Sequence, residues 1–338
     1  MVKLANTLAL GASAVRFVGS TPTLGINFIK LMKISFIIPI YNESGNIPEL
    51  YRRLKKAIES DFRDFDYEII FVDDGSNDNS FDLIEGLHNQ NTKVKAIKFS
   101  RNFGHHIAIT AGLDIAVGDF VVMMDGDLQD QPEEIIKLWN KLQQGYDVVY
   151  AQRKNKKFGY FKKVTSKLFN FLIKKLIDED IEINSSIFRI MTKEVVEKIK
   201  ELRESNRYII GLIGWVGFKH IAQEVEHGER FKGKGKYDIN RQFKLALNAI
   251  FSFSTIPIKI ITRIGLLFIL FSLFLAIYIL IKKFIYCSII AGLTYAILLI
   301  FFVGGIQIIA IGIIGEYIVR TYAEARRRPL YIIKDKLI

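Results

Sequence analysis

A short acidic run follows a hydrophobic stretch near the middle of the chain. Residues 122–124 lead directly into Asp125-Gly126-Asp127-Leu128-Gln129-Asp130. Where a strand end fixes the backbone, two carboxylates separated by one small residue can converge on one Mg²⁺ or Mn²⁺ that also binds phosphate oxygens. Such a metal neutralises the charge that builds on a diphosphate leaving group. The Asp-x-Asp spacing alone is more often a solvated turn, so the interpretation depends on its context.

Two further hydrophobic stretches end in polar residues, at Asp73-Asp74-Gly75-Ser76 and at Tyr41-Asn42-Glu43. Carboxylates there can accept hydrogen bonds from a base N–H and from ribose hydroxyls, and Gly75 allows close backbone approach. Tyr41 adds an aromatic ring for stacking. The same residue types also predict ordinary helix N-caps, by Ser76 or Asp78 after the second strand and by Asn42 or Ser44 after the first.

An alternation of short apolar runs and amphipathic segments predicts the elements that position these residues. Strands are expected at 35–39, 68–72, 94–99, 120–124 and 147–151, with helices at 47–58 and 81–88 among them. Continuous apolar strands separated by helices indicate a mostly parallel α/β sheet with helices on both faces. The acidic segments then lie at the strand C-terminal ends, where such open sheets bind ligands.

This ordered set of motifs resembles the family 2 glycosyltransferases of GT-A (Rossmann-like) fold, in the polyprenyl-phosphate branch of dolichol-phosphate mannosyltransferases and bactoprenol glucosyltransferases. The resemblance covers roughly residues 34–320. The matching stretches are 38–43, 72–76, Arg101-Asn102-Phe103-Gly104, 125–130, the region of Arg153, Phe188-Arg189 and 230–237.

The resemblance implies a role for each matching residue. Asp125, Asp127 and Gln129 would hold Mg²⁺ or Mn²⁺, and Arg153 would meet the acceptor phosphate. The nucleotide sugar would be bound by Pro39, Tyr41, Asn42, Glu43, Asp73, Asp74, Asp125 and Gly126, with Arg189, Arg230 and Lys236 as further ligands of the acceptor phosphate. Catalysis would fall to Asp125, Asp127, Arg153 and Arg189. Guanidinium forks suit phosphate oxygens, although Arg189 and Arg230 fit surface salt bridges equally well.

Several positions depart from the family pattern. Ile187 stands where many relatives have Asp, so a carboxylate sometimes considered for catalysis is missing. A phosphate monoester acceptor is largely ionised at pH 7 and needs no general base, and inversion at the anomeric carbon is expected. Asp130 and Glu182 are alternative bases, although a surface or capping role is favoured. Gly126 replaces the commoner Ala without loss of a ligand, and Gly235 replaces Ser in a basic loop that would close over the diphosphate.

Composition indicates a membrane protein. The chain has a net charge of +12 and is 50% hydrophobic, with long uncharged runs at 264–281 and 284–315. The first run spans about 27 Å, close to a bilayer core. Nine Lys or Arg and no acid at 152–175, at helical apolar spacing, predict a basic amphipathic helix on anionic lipid. Basic residues that flank the two runs, at 259, 263, 320 and 326–328, place both soluble ends in the cytoplasm. Lys282 and Lys283, between the runs, favour the opposite orientation. The single Cys287 excludes intramolecular disulfides.

The predicted organisation has five parts. They are an N-terminal extension of uncertain role at 1–31, a cytoplasmic catalytic domain at 32–239, a juxtamembrane amphipathic helix at 240–258, two transmembrane helices within 259–320 (about 262–282 and 288–315), and a basic cytoplasmic tail at 321–338. The protein is therefore expected to be an integral protein of a bacterial plasma membrane.

The preferred function is transfer of a monosaccharide from UDP-glucose to undecaprenyl or dolichyl phosphate. GDP-mannose and UDP-N-acetylhexosamine are alternative donors, and a processive polysaccharide synthase would need more membrane helices. A nucleic-acid-binding or scaffold protein is disfavoured, because five acidic side chains would repel a phosphate backbone, namely Asp73, Asp74, Asp125, Asp127 and Asp130. For His105 and His106, packing or exposure is favoured over a role in the sugar pocket. Trp215 fits either the protein core or the membrane interface. The sequence does not determine whether the protein forms a homo-oligomer.

Overall fold

A computed structural model of the chain describes residues 32–153, 186–205, 207–226, 228, 256–286 and 292–338. Four predicted segments lie wholly or largely outside these residues, namely the extension at 1–31, the basic helix at 152–175, the basic loop at 230–237 and the juxtamembrane helix at 240–258. These four stay predictions.

One mixed sheet organises the described part of the chain. Its strands are β1 Lys33–Ile40, β2 Asp66–Asp73, β3 Val94–Phe99, β4 Phe120–Met123, β5 Val148–Arg153, β6 Arg189–Thr192, β7 His220–Val225 and β8 Ile333–Leu337. They follow the order β7-β5-β6-β4-β1-β2-β3-β8. The neighbours β4, β1, β2 and β3 are parallel, whereas β6 and β8 run antiparallel to the strands beside them. The predicted mostly parallel sheet is confirmed.

Helices cover both faces of this sheet. They are α1 Ile47–Asp61, α2 Ser80–Gln90, α3 His105–Ile115, α4 Ile135–Leu142, α5 Lys193–Glu201 and α6 Ile209–Trp215, followed by the long helices α7 Ile256–Tyr286 and α8 Leu293–Ala325. Because side chains alternate along a strand, Phe36 and Ile38 pack in the layer of α1, α2 and α4, while Ile37 packs in the layer of α3, α5 and α6. Two buried layers therefore cover the two faces of the sheet.

The C-terminal segment returns to the sheet. Its last strand, β8, pairs antiparallel with β3, and Ser100 N–H donates to the Ile332 carbonyl at 3.0 Å. The cytoplasmic location of the segment predicted as a basic tail, 321–338, stays a prediction. That segment contains the end of α8, which continues to Ala325, and an edge strand at 333–337. Lys334, Asp335 and Lys336 are exposed there, as is usual for charged residues that protect a sheet edge.

The two long helices differ from the predicted crossings at 262–282 and 288–315. Helix α7 extends beyond its predicted crossing at both ends, whereas α8 starts inside its predicted crossing, at Leu293, and continues past it to Ala325. Among the described residues, one segment, Phe302–Ala325, is long and apolar enough to cross a membrane, with a mean hydropathy of 1.9. One such segment does not establish a two-helix hairpin, which stays a prediction. Many apolar side chains on both helices are exposed, including Leu267, Phe274 and Ile308.

Candidate active site

Three strand ends meet at one edge of the sheet. Ile40 at the end of β1 lies opposite Asp73 at the end of β2, and Ile37 lies opposite Met123 at the end of β4. Because these strands are parallel neighbours, the residues that follow them emerge side by side. The structure thus brings together residues 41–46 and 74–80, which we call the paired loops, and residues 125–130, which we call the acidic turn.

The acidic turn separates its side chains into two sets. Asp125, Asp127 and Gln129 are half-buried, whereas the alternating residues Gly126, Leu128 and Asp130 are buried. The turn includes Leu128 in the left-handed region at φ 64°. This alternation gives the three predicted metal ligands a share of the accessible surface, while the residues between them form the floor of the turn.

Gly126 is enclosed by the neighbouring strand. A Cβ atom at this position would lie 2.6 Å from Ile40 Cδ1 and 3.2 Å from the Pro39 carbonyl oxygen. The absence of a side chain therefore lets the acidic turn rest on the end of β1. An Ala here would be accommodated only if the Ile40 side chain moved. The Gly therefore fits the space that Ile40 leaves, and its exchange for Ala is not without structural effect.

One contact from outside the acidic turn and two bonds within it hold its shape. His105 Nε2, on the first residue of α3, lies 3.2 Å from Asp125 Oδ1. Gln129 N–H donates to Asp127 Oδ1 at 3.1 Å, and Asp130 Oδ2 lies 3.5 Å from the Asp125 amide nitrogen. Asp130 is buried, so the surface alternative of the surface or capping role favoured for it is wrong, and the capping alternative stays a prediction.

The donor set of the turn suits a hard cation. No cluster of three or more His, Cys, Asp or Glu side chains arranged for a metal occurs among the described residues. Two carboxylates and the Gln129 amide would supply only part of a six-coordinate oxygen shell, which Mg²⁺ usually completes with water and substrate phosphates. The residues present therefore fit a cation that binds together with a diphosphate rather than one held in a closed protein site.

Hydrogen bonds between side chains and backbone join the paired loops. Asn42 N–H donates to Ser76 Oγ at 2.9 Å, and Asn77 N–H donates to Asn42 Oδ1 at 2.9 Å. Glu43 and Ser44 N–H groups donate to Ser80 Oγ and Asp78 Oδ2, each at 3.1 Å. The N-cap positions of α1 and α2 are Asn46 and Asn79, neither with a side-chain capping bond. The caps predicted at Asn42, Ser44 and Ser76 are therefore wrong, since the Asn42 and Ser76 side chains connect the two loops and Ser44 contributes only its backbone N–H. Asp78 does accept at the start of α2, from Ser80 N–H at 3.1 Å.

The two carboxylates at the end of β2 are buried and serve different partners. Asp73 Oδ1 accepts from Ser76 N–H at 2.8 Å. Asp74 accepts from the N–H groups of Phe103 and Gly104, at 2.7 and 3.0 Å. Burial raises the pKa of Asp74, and the two backbone donors oppose that shift. Asp74 thus ties the β2 end to the loop before α3, and its contact with a nucleotide stays a prediction.

Gly75 meets a requirement that no other residue satisfies as well. Its φ is 71°, and a Cβ here would lie 2.5 Å from the Arg101 carbonyl carbon. Both the left-handed backbone and the close approach of residues 101–102 therefore require a residue without a side chain. This Gly lets the loop of the Arg101-Asn102-Phe103-Gly104 motif lie directly against the end of β2.

The remaining predicted ligands have different outcomes. Tyr41 is 45% exposed at the edge, so its ring is accessible for stacking, while Pro39 is buried within β1. Arg189 is only 2% exposed, and its guanidinium donates to the Ser186 carbonyl at 2.5 Å. Arg153 ends β5, but its side chain lies outside the described part, as do Arg230, Lys236 and Glu182. The predicted contacts of these groups with an acceptor phosphate stay predictions.

Two histidines at the start of α3 lie beside the acidic turn. His105 is exposed and His106 is packed, in agreement with the packing or exposure favoured from sequence, and a role in a sugar pocket stays a prediction. His105 contacts Asp125, and the His106 ring packs edge-on against Tyr208 with 5.3 Å between centroids. Burial lowers the pKa of His106 to about 4, helped by His105. Burial likewise raises the pKa of Tyr208 to about 12. Their only sequence signal was position, directly after the Arg101-Asn102-Phe103-Gly104 motif.

Trp215, the last residue of α6, is 54% exposed. The core-packing alternative for this residue is therefore wrong, and the interface alternative stays a prediction.

Comparison with known proteins identifies the family. The family described as "Glycosyl transferase family 2" matches residues 35–200. A Bacillus subtilis (strain 168) protein named "Uncharacterized glycosyltransferase YkcC" is 40% identical over 304 residues, which make up 90% of this chain and 94% of that protein. The chain is a family 2 glycosyltransferase.

Other relatives of this family 2 glycosyltransferase have more specific names. The "Prophage bactoprenol glucosyl transferase homolog" of Escherichia coli (strain K12) is 38% identical over 304 residues, covering 90% of this chain and 99% of that protein. The "Bactoprenol glucosyl transferase" of Shigella phage SfV is also 38% identical, over 306 residues and with the same coverage of both chains. The predicted family and glycosyltransferase class are confirmed.

Among solved structures, the mannosyltransferase PcManGT from Pyrobaculum calidifontis, in complex with GDP-Man and Mn²⁺, is similar with a TM-score of 0.47 and 15% sequence identity. The match covers 66% of this chain and 64% of that one. The GT-A assignment of this family 2 glycosyltransferase rests on its strand order and family membership rather than on that distant likeness.

Proposed function

We propose that this glycosyltransferase moves glucose from UDP-glucose to a polyprenyl phosphate at the cytoplasmic face of a bacterial plasma membrane. The observation that carries the proposal is the acidic turn, whose Asp125, Asp127 and Gln129 keep accessible surface beside the paired loops. Relatives named bactoprenol glucosyl transferase, matched over 90% of this chain, support glucose as the sugar and a polyprenyl phosphate as the acceptor.

The acidic turn would hold the cation. Asp125, Asp127 and Gln129 are its ligands in this proposal, and bound Mg²⁺ or Mn²⁺ supplies positive charge that stabilises the departing diphosphate. His105 beside Asp125 and the backbone of Gln129 beside Asp127 orient the two carboxylates before substrate arrives. A site arranged in advance in this way loses little free energy to reorganisation when charge develops.

The paired loops would hold the nucleoside. Tyr41 offers an exposed ring for the base, and Asn42 and Glu43 continue the same loop around it. Asp73 and Asp74 lie beneath, where Asp73 Oδ2 is buried without a hydrogen-bond partner among the described residues. An uncompensated buried carboxylate oxygen is costly, so a donor from the base or ribose at this point would be favourable.

Transfer itself needs no general base. A phosphate monoester carries ionised oxygens at pH 7, and one of them attacks the anomeric carbon as the bond to the UDP oxygen breaks. The new bond forms on the face opposite the leaving group, which gives inversion. Arg153, Arg189, Arg230 and Lys236 are the proposed ligands of the acceptor phosphate, and holding the reactants in line is the main contribution expected from them.

The path of the chain supports a membrane hairpin. Because β8 pairs with β3, residues 333–337 lie on the same side of any membrane as the sheet. A chain that leaves the domain before α7 and rejoins it at β8 must cross an even number of times. A crossing by the Phe302–Ala325 segment of α8 therefore requires a second crossing, for which the 31-residue helix α7 is the candidate.

The direct test is transfer by purified protein in detergent. The protein is incubated with undecaprenyl phosphate and, in separate reactions, labelled UDP-glucose, GDP-mannose and UDP-N-acetylglucosamine, with and without EDTA. We expect one lipid-linked sugar from UDP-glucose, no product with EDTA, and recovery on adding Mn²⁺ or Mg²⁺. The anomeric configuration of the product, measured by NMR, reports inversion.

Each other outcome has a defined meaning. A product from GDP-mannose alone would favour the mannosyltransferase alternative, and chains of several sugars would favour the processive synthase. No lipid-linked product from any donor, by protein that still binds UDP, would contradict the proposed acceptor.

A further inference from the structure

A cavity lies on the described part of the surface, and none of its lining residues belongs to the acidic turn. It has a volume of about 570 Å³ and is lined by the end of α8, the segment that follows it, and the loop between α5 and α6. The apolar segment of α8 that meets the length of a membrane crossing ends at Ala325, one residue before Arg326. If α8 crosses as proposed above, this cavity lies where lipid headgroups meet the catalytic domain.

The carboxylates that line the cavity already have partners. Both oxygens of Asp114, in the last turn of α3, accept from Arg203 at 2.9 Å, and Tyr331 Oη also donates to Asp114 at 2.8 Å. Glu324 accepts from Ser205 N–H at 2.7 Å. These bonds hold the segment after α8 against the domain, and they provide donors for both carboxylates of the cavity wall.

Two guanidinium groups in the same wall have no such partner. Arg327 and Arg328 both line the cavity, and neither forms an ion pair with any of the residues that the structure describes. Together with Arg203 they give the lining three positive charges. The lining has two negative charges, on Asp114 and Glu324. The cavity therefore carries a net positive charge, concentrated on the two arginines that lack carboxylate partners.

The backbone at Arg327 is unusual for its residue type. Arg327 follows the C-cap residue of α8 and has φ 47°, in the left-handed region. Gly is the usual residue at this position of a helix terminus, because other side chains cost about 1 kcal/mol or more there. An Arg kept in this conformation turns the chain so that Arg327 and Arg328 line one cavity, which points to a use for the side chain.

An apolar stripe lies along α8, before the turn that carries Arg327 and Arg328. Ile314, Ile318 and Tyr322 are exposed and follow one another at four-residue spacing along α8, so they share one face. Arg326 lies over the Tyr322 ring at 4.2 Å and closes the stripe with a positive charge. An apolar surface that ends in guanidinium groups matches a molecule with acyl chains and an anionic head.

We propose that this cavity binds the phosphate of an anionic phospholipid headgroup through Arg327 and Arg328, with its acyl chains against exposed apolar side chains of α8. The inference rests on the proposed membrane location of α8, but it concerns a site separate from the acidic turn. Guanidinium forks bind phosphate oxygens at two points, and the apolar stripe distinguishes a lipid from free phosphate.

The test measures lipid retention on the full chain in detergent by native mass spectrometry, in EDTA and without nucleotide. The probes are dihexanoyl phosphatidylglycerol, dihexanoyl phosphatidylcholine and inorganic phosphate. The variant is Arg327→Gly with Arg328→Gln, because Gly relieves the left-handed backbone and should keep the fold. The matched control, Lys334→Gln with Lys336→Gln, removes the same charge from the exposed edge of β8.

We expect phosphatidylglycerol to bind the native chain and the Lys control alike, and the Arg variant at least about tenfold more weakly. Phosphatidylcholine and inorganic phosphate should bind more weakly than phosphatidylglycerol. Equal retention by the Arg variant, with an unchanged melting temperature, would overturn the site. Phosphate binding as tight as that of the lipid would overturn the lipid assignment.

Sugar transfer to undecaprenyl phosphate is measured separately on the same preparations. A native chain that retains phosphatidylglycerol through the two arginines but transfers no sugar would contradict the proposed function and leave this site standing. A chain that transfers glucose but retains phosphatidylglycerol independently of the two arginines would support the proposed function and contradict this site.

Discussion

The paired loops and the acidic turn have similar sequences but use their polar atoms differently. Both follow buried parallel strands and contain Asp and Gly, and the paired loops also contain Asn and Ser. In the paired loops, side chains such as Asn42, Ser76 and Asp74 bind backbone N–H groups of another loop. In the acidic turn, Asp125 and Asp127 keep part of their surface exposed, and Asp125 is 37% exposed.

The difference shows that an acid at a strand end is not by itself a ligand. What decides its role is whether the oxygen atoms are already satisfied by the protein. The carboxylate of Asp74 accepts two backbone N–H groups and is buried, so it supports the shape of the site. Asp127 accepts from Gln129 N–H within its own turn and is only half-buried, so part of its surface is accessible to a cation.

The largest effect is expected from Asp127→Ala in the acidic turn. Loss of one of two carboxylates should lower transfer by about 1,000-fold, which corresponds to about 4 kcal/mol of transition-state stabilisation. The melting temperature should stay close to that of the native chain, because the side chain is only half-buried and its bond to Gln129 N–H lies within the turn. Initial rates and Mn²⁺ binding in the presence of UDP check both statements.

Asp64→Ala is the matched control, since Asp64 is exposed and distant in sequence from the turn. It should leave rate and Mn²⁺ binding unchanged. If Asp127→Ala kept native turnover, the contrast between a structural and a catalytic carboxylate would lose its basis.

The next largest effect is expected from Asp74→Ala below the paired loops, and it should be on stability. Removal of the carboxylate leaves the N–H groups of Phe103 and Gly104 without their acceptor, at a cost of about 3 kcal/mol of unfolding free energy. Chemical denaturation measures it. Glu85→Ala, on the exposed side of α2, should change stability by less than about 0.5 kcal/mol.

A different result for Asp74 would be informative. If Asp74→Ala unfolded like the Glu85 control but bound UDP much more weakly, the carboxylate would be a nucleotide ligand. The two regions would then be alike rather than different.

A smaller effect is expected from the start of α3, which touches both regions. The folded-state pKa of His106 is about 4, below its ordinary value of 6.5. The unfolded chain therefore binds a proton that the folded chain does not, and stability falls as pH drops from about 6.5 towards 4. Between pH 7.5 and pH 5 the loss from this group is about 2 kcal/mol.

His106→Gln should remove that part of the pH dependence. The measurement is the unfolding free energy of both proteins at several pH values in this range. Parallel curves for the native chain and the variant would show that His106 is protonated normally and is not enclosed between His105 and Tyr208.

The sheet could be predicted from sequence because its central strands are apolar on both faces. Runs such as 36–40 and 69–72 have no polar residue that would suit a solvent face, and helices of clear amphipathic period separate them. The edge strand β8 gave no such signal. Its residues Lys334, Asp335 and Lys336 are exposed, and a charged edge strand has the composition of a tail.

The site could be predicted only in part, for a related reason. The two-residue spacing of Asp125, Asp127 and Gln129 is local, and it places them on one side of the turn. The bonds of the paired loops join residues about 34 apart, so they depend on the register of β1 against β2. The contact of His105 with Asp125 likewise exists only in the folded chain, which is why a packing role was favoured for it.

The smallest effect is expected from Asn42 in the paired loops, where two substitutions separate two contributions. Asn42 has φ 57°, and its side-chain oxygen accepts from Asn77 N–H. Ala loses the hydrogen bond and tolerates the left-handed backbone poorly, so Asn42→Ala should lower the unfolding free energy by about 1 kcal/mol. Gly loses the same bond but accepts the backbone, so Asn42→Gly should be closer to native. If denaturation showed both variants equally unstable, backbone strain would contribute nothing, and the loop would be held by the Asn42–Asn77 bond alone.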